Sequence, residues 1–233
     1  MSKLSFNMDE KVVVVTGGSR GIGLEIAKML LAQNARVVIC GRKQEGLDAA
    51  KEQIDAGEDR FLAVQAHIAK EEEVENLFEK TKEVFGRLDV LINNVGMNIV
   101  TSVVDAELSL WNKIIESNLN GTFLCSRKAG RIMREQKSGK IISISSIAAR
   151  RAAPAMGIYG IAKAGIEMMT KVLAQELAPF NIQVNAVAPS MVKTDFSKVF
   201  WSNQDLHDQI VKTIPLRRCC FLQGNHVVKR LKN

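Results

Sequence analysis

Two side chains that can exchange protons lie four residues apart in the segment YGIAK. Tyr159 carries a phenol and Lys163 an ammonium, and the residues between them are small or apolar. Residues four apart share one face of an α-helix, so the two groups would lie side by side. A neighbouring ammonium favours the phenolate, which would lower the pKa of Tyr159. The spacing alone fits both an acid–base pair and an ordinary surface pair.

A glycine-rich segment, TGGSRGIG at residues 16–23, directly follows a run of four valines. It opens a helical pattern, and the N-terminus of a helix offers unpaired N–H groups and a positive dipole end to an anion. Gly17 would permit the turn, while Gly21 and Gly23 would let backbone approach phosphate and helix approach strand. The spacing is GxxxGxG rather than GxGxxG. Its place after a strand predicts a dinucleotide pyrophosphate site.

The end of the second predicted strand indicates which dinucleotide binds. An acidic residue at this place would bind the 2′-hydroxyl of NAD. Here Gly41 stands in that place and Arg42 and Lys43 follow, while Arg20 lies inside the glycine-rich segment. Basic groups from two places could converge on a 2′-phosphate, or could simply be solvated. We predict NADP(H) rather than NAD.

Alternating strand and helix patterns would position these residues. Short β-branched runs begin at Lys11, Arg36, Phe61, Leu88, Lys140 and Ile182. Helical patterns lie between them at 21–33, 44–56, 71–85, 108–136 and 158–178, the fourth with a bend near Gly121. Because the strands are apolar on both faces, they predict a parallel sheet covered by helices on both sides. No second domain, repeat or linker is expected.

The composition is that of a globular chain of 233 residues, 46% hydrophobic and 24% charged. We expect no secretory signal, no membrane span and no C-terminal targeting tag, and therefore a cytoplasmic location. The four cysteines lack CxxC spacing and the three histidines are scattered, so neither a disulfide framework nor a metal site is expected. The net charge of +7 comes mostly from five Lys and Arg after Pro215, a segment without acidic residues.

Six motifs, in this order, resemble those of the short-chain dehydrogenase/reductase family. TGGSRGIG resembles its TGxxxGxG, NNVG its NNAG, and SNLNGTF carries its asparagine. SISSIAA carries its serine, YGIAK is its YxxxK, and NAVAPSMVKTDF resembles its Pro-Gly segment with Ser190 for glycine. The resemblance spans about residues 9–215. Within the family, AHIAKEEE, SSIAA and APSMVKTDFSKVFW are similar to the NADPH-dependent carbonyl reductase branch that includes peroxisomal retinal reductases.

The resemblance implies one Rossmann-type α/β domain over residues 1–233, with a doubly wound parallel sheet of six strands and the family's seventh strand missing. It also implies hydride transfer between a nicotinamide and a carbonyl or alcohol. Tyr159 would be the acid in reduction and the base in oxidation, and Lys163 would tune it and hold the nicotinamide ribose. Of the clustered Ser143, Ser145 and Ser146, the resemblance selects Ser146 to hydrogen-bond the substrate oxygen. Asn118 would hold a water that links Lys163 to solvent, although the sequence alone favours a polar group in helix packing.

The resemblance further implies that Thr194 and the backbone of Val192 bind the nicotinamide carboxamide. The expected cofactor contacts are Gly17, Ser19, Arg20, Gly21, Ile22, Gly23, Arg42, Lys43, His67, Ile68, Asn94, Val95, Gly96, Tyr159, Lys163, Pro189, Val192 and Thr194. Residues 189–210 are expected to form a lid over an apolar ketone or aldehyde. Its apolar side chains could equally pack on the sheet; they are Met191, Phe196, Phe200 and Trp201.

The chain departs from the family after the segment KTIPL. Residues 216–233 form a short basic tail in place of the family's last helix and strand, and we expect a frameshift or truncation near Leu216. Those missing elements build one interface of the family. The helical segments 112–136 and 158–178 build the other, so a homodimer or homotetramer is expected.

Three alternative functions remain open. One is a 3-oxoacyl-carrier-protein reductase, in which an acidic carrier protein would meet Arg127, Lys128, Arg131 and Arg134, although these also suit a solvated helix. Another is a catalytically silent NADP-binding protein. Nucleic-acid binding by the tail is disfavoured, because only Phe221 accompanies its charges. A peroxisomal location would follow from the resemblance only.

Overall fold

A computed structural model describes residues 8–153 and 156–220. The chain divides into two compact units, Met1–Ala188 and Pro189–Asn233. The first unit contains the sheet and most of the helices, and the second contains two short helices in its described part. That residues 1–233 form one domain stays a prediction. Residues 221–233, most of the predicted tail, lie outside the described residues.

The first unit is built on a parallel sheet, with six strands in the described residues. The strands are β1 (Val12–Thr16), β2 (Arg36–Gly41), β3 (Phe61–Gln65), β4 (Val90–Asn93), β5 (Gly139–Ile144) and β6 (Ile182–Val187). Their order across the sheet is β3-β2-β1-β4-β5-β6, so the chain reverses its direction of winding between β1 and β4. This confirms the predicted Rossmann-type α/β fold and its six strands.

Helices connect the strands in the first unit. They are α1 (Gly21–Leu31), α2 (Gln44–Gln53), α3 (Glu71–Phe85), α4 (Leu108–Ile115), α5 (Gly121–Gln136) and α6 (Gly157–Leu177). A π-helical turn, Glu116–Asn120, joins α4 to α5 where the sequence predicted only a bend near Gly121. The second unit holds α7 (Lys198–Trp201) and α8 (Gln204–Thr213). No helix within the described ranges is long and apolar enough to cross a bilayer.

Alternate side chains of β1 fill two separate cores. Val12 and Val14 pack with residues of α3, α5 and the C-terminal end of α6 on one face. Val13 and Val15 pack with α1 and α2 on the other face. All four valines are fully buried, so this strand is apolar on both faces because helices cover both. Burial of each valine contributes about 1.5–3 kcal/mol to stability, which fixes the strand that leads into the glycine-rich segment.

The carboxyl ends of β1, β4 and β5 lie together at one edge of the sheet. Val15 is in register with Ile92, and Asn93 with Ser143. In open parallel sheets the ligand crevice lies outside the carboxyl ends, at the point where the strand order reverses. The glycine-rich segment follows β1, NNVG includes the end of β4, and the serine cluster follows β5. The fold therefore brings three of the predicted motifs to the edge where such crevices form.

Candidate active site

The glycine-rich segment makes a tight connection between β1 and α1. Gly17 and Gly21 have φ of +65° and +58°, the left-handed region that favours glycine. The Gly18 N–H donates to the Cys40 carbonyl at 3.2 Å, which fixes the segment to the end of β2. A Cβ atom on Gly23 would lie 2.4 Å from the Gly17 carbonyl oxygen. Backbone N–H groups at the start of α1 are thereby left open to an anion, and the cradle fits a dinucleotide pyrophosphate.

Asn94 joins the end of β4 to this cradle. Its backbone N–H donates to Thr16 Oγ1 at 3.0 Å, and its side-chain amide donates to the carbonyls of Thr16 and Gly17 at 3.1 and 3.2 Å. Val95 follows, and a Cβ on Gly17 would lie 3.1 Å from its side chain. Two of the predicted cofactor motifs are therefore held together by hydrogen bonds and close packing.

The end of β2, which directly precedes two of the predicted cations, lies beside the glycine-rich segment. A Cβ on Gly41 would lie 3.3 Å from Ser19 Oγ, so the end of β2 touches the segment that carries Arg20. The side chains of Arg20, Arg42 and Lys43 are exposed. The residues expected to bind a 2′-phosphate therefore lie on two segments whose backbones are in contact, and that they bind this group stays a prediction.

The segment after β3 borders the same edge. The Ala66 N–H donates to the Gly41 carbonyl at 3.0 Å, which places His67 and Ile68 just beyond the end of β2. The His67 Nδ1 accepts from the Ala69 N–H at 3.2 Å, so its ring is oriented by its own turn. Ile68 is buried against Gly121 at the start of α5, where an added Cβ would lie 2.6 Å away. Ile22, in the first turn of α1, is half-buried.

Tyr159 and Lys163 lie on one face of α6, as the sequence predicted. They are 6% and 2% exposed, so they are not an ordinary surface pair. The Lys163 Nζ atom lies 5.5 Å from the centre of the Tyr159 ring and donates to the Ile144 carbonyl at 2.9 Å. The carbonyl at the end of β5 thereby holds the Lys163 ammonium at the carboxyl end of this strand.

Ser146 is the serine that contacts Tyr159. It hydrogen-bonds the phenol and accepts from the Ala148 N–H at 3.2 Å, where it caps the short 3₁₀ turn Ile147–Ala149. Ser143 instead accepts from Asn93, and Ser145 donates to Glu167. Among the three serines weighed from the sequence, the structure places Ser146 against the phenol.

Burial sets the proton affinities of the pair. It raises the pKa of Tyr159, and the Ser146 hydrogen bond lowers that pKa only in part. Burial also lowers the pKa of Lys163 from 10.5 to about 8. The expectation of a pKa of Tyr159 below its ordinary value is therefore wrong for this structure, because desolvation of the phenolate dominates.

Asn118 occupies the π-helical turn between α4 and α5 and is fully buried. Its amide donates to the carbonyls of Ile114 and Met97, both at 2.8 Å, and its oxygen accepts from the Met97 N–H at 3.2 Å. A Cβ on Gly96 would lie 3.5 Å from Lys163 Nζ and 3.6 Å from Asn118 Oδ1. The Asn118 amide and the Lys163 ammonium therefore both lie close to Gly96. Asn118 thus joins α4 to the segment after β4 and also borders the site.

The second unit carries the remaining predicted contacts, which are Pro189, Val192 and Thr194. Ser197 organises this segment: its hydroxyl donates to the Val192 carbonyl at 2.6 Å and accepts from the Thr194 N–H at 3.1 Å. The Trp201 indole N–H donates to the Thr194 carbonyl at 3.1 Å. Of the predicted lid side chains, Phe196 is exposed and Met191, Phe200 and Trp201 are half-buried. The sequence analysis missed Ser197, although a serine three residues after Thr194 is a known local capping pattern.

Comparison with known proteins decides the family. The pattern of the short chain dehydrogenase family matches residues 11–205. The chain belongs to this family. Its sequence is 38% identical to a 3-oxoacyl-[acyl-carrier-protein] reductase of Synechocystis sp., over 89% of this chain and 83% of that protein. It is 37% identical to an NAD-dependent glycerol dehydrogenase of Listeria innocua, over 91% and 82%.

A solved short chain dehydrogenase from Bacillus anthracis has the same fold. It superposes with a TM-score of 0.84 at 34% identity, over 96% of this chain and 89% of the other. The chain of 233 residues is therefore an oxidoreductase, and its family uses a nicotinamide cofactor. Its placement in the carbonyl and retinal reductase branch stays a prediction.

Proposed function

We propose that this chain is an NADP(H)-dependent reductase that interconverts a ketone or aldehyde with the corresponding alcohol. The observation that carries the proposal is the pair of buried side chains, Tyr159 and Lys163, with the half-buried Ser146 against the phenol at the carboxyl end of β5. It lies at the same sheet edge as the glycine-rich cradle after β1. When bound, the nicotinamide supplies or accepts the hydride, and the side chains at this edge manage the proton.

In the reductive direction, the Tyr159 hydroxyl donates a proton to the substrate oxygen as negative charge develops there. Ser146 orients that oxygen through a hydrogen bond, since it already contacts the phenol. Because burial raises the pKa of the phenol, the hydroxyl is protonated at neutral pH and carries the proton that the reduction consumes. In the oxidative direction the same group must first become a phenolate, and a protonated Lys163 would stabilise that charge.

Lys163 would return the proton to Tyr159. A lysine with a pKa of about 8 is close enough to neutrality to gain and lose a proton during turnover. Asn118 would hold a water between this ammonium and solvent, a role that fits the position of both groups around Gly96. Lys163 would also hold the nicotinamide ribose hydroxyls.

The cofactor would lie along the sheet edge. Gly17, Ser19, Gly21, Ile22 and Gly23 would hold the pyrophosphate, and Arg20, Arg42 and Lys43 the 2′-phosphate. The segments after β3 and β4 would line the site through His67, Ile68, Asn94, Val95 and Gly96. In the second unit, Thr194 and the backbone of Val192 would bind the carboxamide, and Pro189 would be a further cofactor contact. The Listeria relative is NAD-dependent by name, so the preference for NADP(H) rests on the basic corner of this chain.

The substrate would be an apolar small molecule. Tyr159 forms an apolar cluster with Ile114 and Ile158, and the partly buried Met97, Leu110 and Trp111 pack against this cluster. A polar substrate would gain little from these surroundings, whereas an apolar ketone would exchange water for apolar contacts.

Fluorescence titration with NADPH and with NADH tests the cofactor, and turnover of an apolar ketone panel tests the reaction. The Tyr159→Phe variant removes the proton donor while it keeps the ring. We expect its turnover to fall by about 10²–10⁴-fold, with NADPH affinity unchanged. Binding of NADPH by wild type without turnover of any ketone would favour the silent binding protein. Turnover by Tyr159→Phe at the wild-type rate would refute the proposed acid.

A second candidate is reduction of a 3-oxoacyl group on a carrier protein, which the Synechocystis relative favours. Two of the four cations expected to meet an acidic carrier protein form ion pairs within the chain. Arg127 pairs with Glu71 and Lys128 with Glu75, so these two charges are partly neutralised. Arg131 and Arg134 remain exposed on α5. A comparison of turnover for acyl-carrier substrates and simple ketones separates the two functions.

A homodimer is the assembly we propose. Apolar side chains stand exposed along α5 and α6, namely Phe123, Ile161, Met168 and Val172, each between 45% and 59% exposed. The three on α6 follow a spacing of seven and four residues, so they share one face. These helices include the segments expected from the resemblance to form an interface.

A further inference from the structure

A single carboxylate ties the loop that carries Ser146 to helix α6. We call residues 145–150 the serine loop. Glu167 Oε1 accepts from the Ser145 hydroxyl at 3.0 Å, and both Glu167 oxygens accept from the Arg150 Nε, at 3.2 and 2.8 Å. Glu167 lies four residues after Lys163 and eight after Tyr159, so the three side chains leave α6 on neighbouring turns of one face. The serine loop is therefore bonded at both ends to the helix that carries the proton donor.

The middle of the serine loop contacts the same helix. A Cβ on Gly160 would lie 2.7 Å from the Ala148 carbonyl oxygen, so the loop backbone touches α6 directly beside Tyr159. Ser146 lies between this contact and the Ser145 bond, and it hydrogen-bonds the phenol. Its position relative to Tyr159 is thus set by attachments on both sides of it.

The chemistry of Glu167 suits a clamp. Its side chain is 14% exposed, whereas that of Arg150 is 68% exposed. Burial alone would raise its pKa, but the hydrogen bonds from Arg150 and Ser145 hold that pKa below its usual value. The group stays ionised at neutral pH, and ionised acceptors make the stronger hydrogen bonds.

We propose that Glu167 is a positioning residue, which holds Ser146 at hydrogen-bonding distance from Tyr159 by clamping Ser145 and Arg150. The inference rests on the roles proposed above for Ser146 and Tyr159. A salt bridge whose arginine is exposed to solvent, as Arg150 is, contributes little to stability, about 0–1 kcal/mol. A displacement of about 1 Å in a catalytic group, by contrast, can cost about a hundredfold in rate. Loss of Glu167 should therefore affect the phenol and the rate more than the fold.

The only tyrosine of the chain makes the clamp directly observable. Tyrosine labelled with ¹³C at Cζ gives one NMR signal, whose shift reports hydrogen bonding at the phenol without any cofactor or substrate. We expect Glu167→Ala to move this signal in the same direction as Ser146→Ala. Glu176→Ala, an exposed glutamate further along α6, is the matched control and should leave the signal in place. A signal in Glu167→Ala identical to that of wild type would overturn the inference.

Kinetics with NADPH and a ketone give the second measurement. Glu167→Ala should lower kcat by roughly tenfold, with NADPH affinity within about twofold of wild type. Because Glu167 acts through Ser146, adding Glu167→Ala to the Ser146→Ala variant should lower kcat little further. Additive losses, or equal losses of kcat and cofactor affinity, would mean general damage and refute the clamp. Absence of turnover in wild type would refute the proposed function instead, and the NMR comparison would still decide the clamp.

Discussion

Replacement of Lys163 by methionine would exchange a buried ammonium for an apolar side chain of similar length. Burial lowers the pKa of Lys163 from 10.5 to about 8. One pKa unit corresponds to about 1.4 kcal/mol, so a charged Lys163 near neutral pH costs the folded chain about 3 kcal/mol. The lost hydrogen bond to the Ile144 carbonyl offsets about 1–3 kcal/mol of this gain. We expect Lys163→Met to unfold with a free energy equal to that of wild type or up to about 2 kcal/mol higher.

The pH dependence is the sharper part of this prediction. Between the folded pKa of about 8 and the unfolded value of 10.5, the unfolded chain keeps a proton that the folded chain has released. The unfolded state then binds more protons, so the stability of wild type rises with pH in this window. About 1 kcal/mol of that rise falls between pH 7 and pH 9. The variant lacks the group, so its advantage over wild type should shrink by the same amount.

Urea unfolding without added cofactor measures the effect, with tryptophan fluorescence as the signal. Wild type and Lys163→Met are compared near pH 7 and near pH 9, and the slope with urea must agree between them. The raised pKa of Tyr159 acts at higher pH and is common to both proteins. A difference in free energy that does not change with pH would refute the reasoning, because it would mean that Lys163 is not desolvated. Turnover should be lost in the variant at both pH values.

Three other variants test the cofactor cradle, the basic corner and the proposed dimer. Gly23→Ala should abolish cofactor binding, since its Cβ would lie 2.4 Å from the Gly17 carbonyl oxygen; Gly130→Ala, whose Cβ would lie 3.5 Å from the nearest atom, is the control in a titration with NADPH. Arg42→Ala should weaken NADPH binding by about 10–100-fold and NADH binding much less, and equal losses would contradict a 2′-phosphate contact. Met168→Glu should yield monomers in sedimentation analysis, whereas Lys80→Glu on α3 should not; an unchanged assembly would exclude this face as the interface.

The fold could be predicted where the sequence pattern and the local stop signals agree. Helix α3 begins and ends at the predicted residues because Gly86, with φ of +73°, ends it. Helix α1 ends at Leu31 rather than 33, since Asn34 adopts a left-handed conformation that turns the chain into β2. The predicted bend at Gly121 is instead a π-helical turn that precedes it. There the Asn118 side-chain amide donates a hydrogen bond to the Ile114 carbonyl, a contact that residue spacing cannot reveal.

The candidate site could also be predicted only in part from the sequence. The face shared by Tyr159 and Lys163 follows from helix periodicity, and the cradle follows from glycine positions after a strand. The direction of the Tyr159 pKa could not be predicted, because it depends on how completely other elements bury the phenol. Glu167 was overlooked because its partners, Ser145 and Arg150, belong to a different segment. Only the fold brings the serine loop onto α6.

One residue of the predicted divergent tail contacts the cofactor segment within the second unit. Cys220 forms a parallel bridge with Val192: its N–H donates to the Met191 carbonyl and its carbonyl accepts from the Lys193 N–H, both at 2.9 Å. Cys220 therefore supports the backbone on either side of Val192. This backbone is the one proposed, with Thr194, to bind the carboxamide of the cofactor. Cys220 thus takes part in shaping that segment, and the bridge bears on cofactor binding, which the reductase and the catalytically silent alternative share.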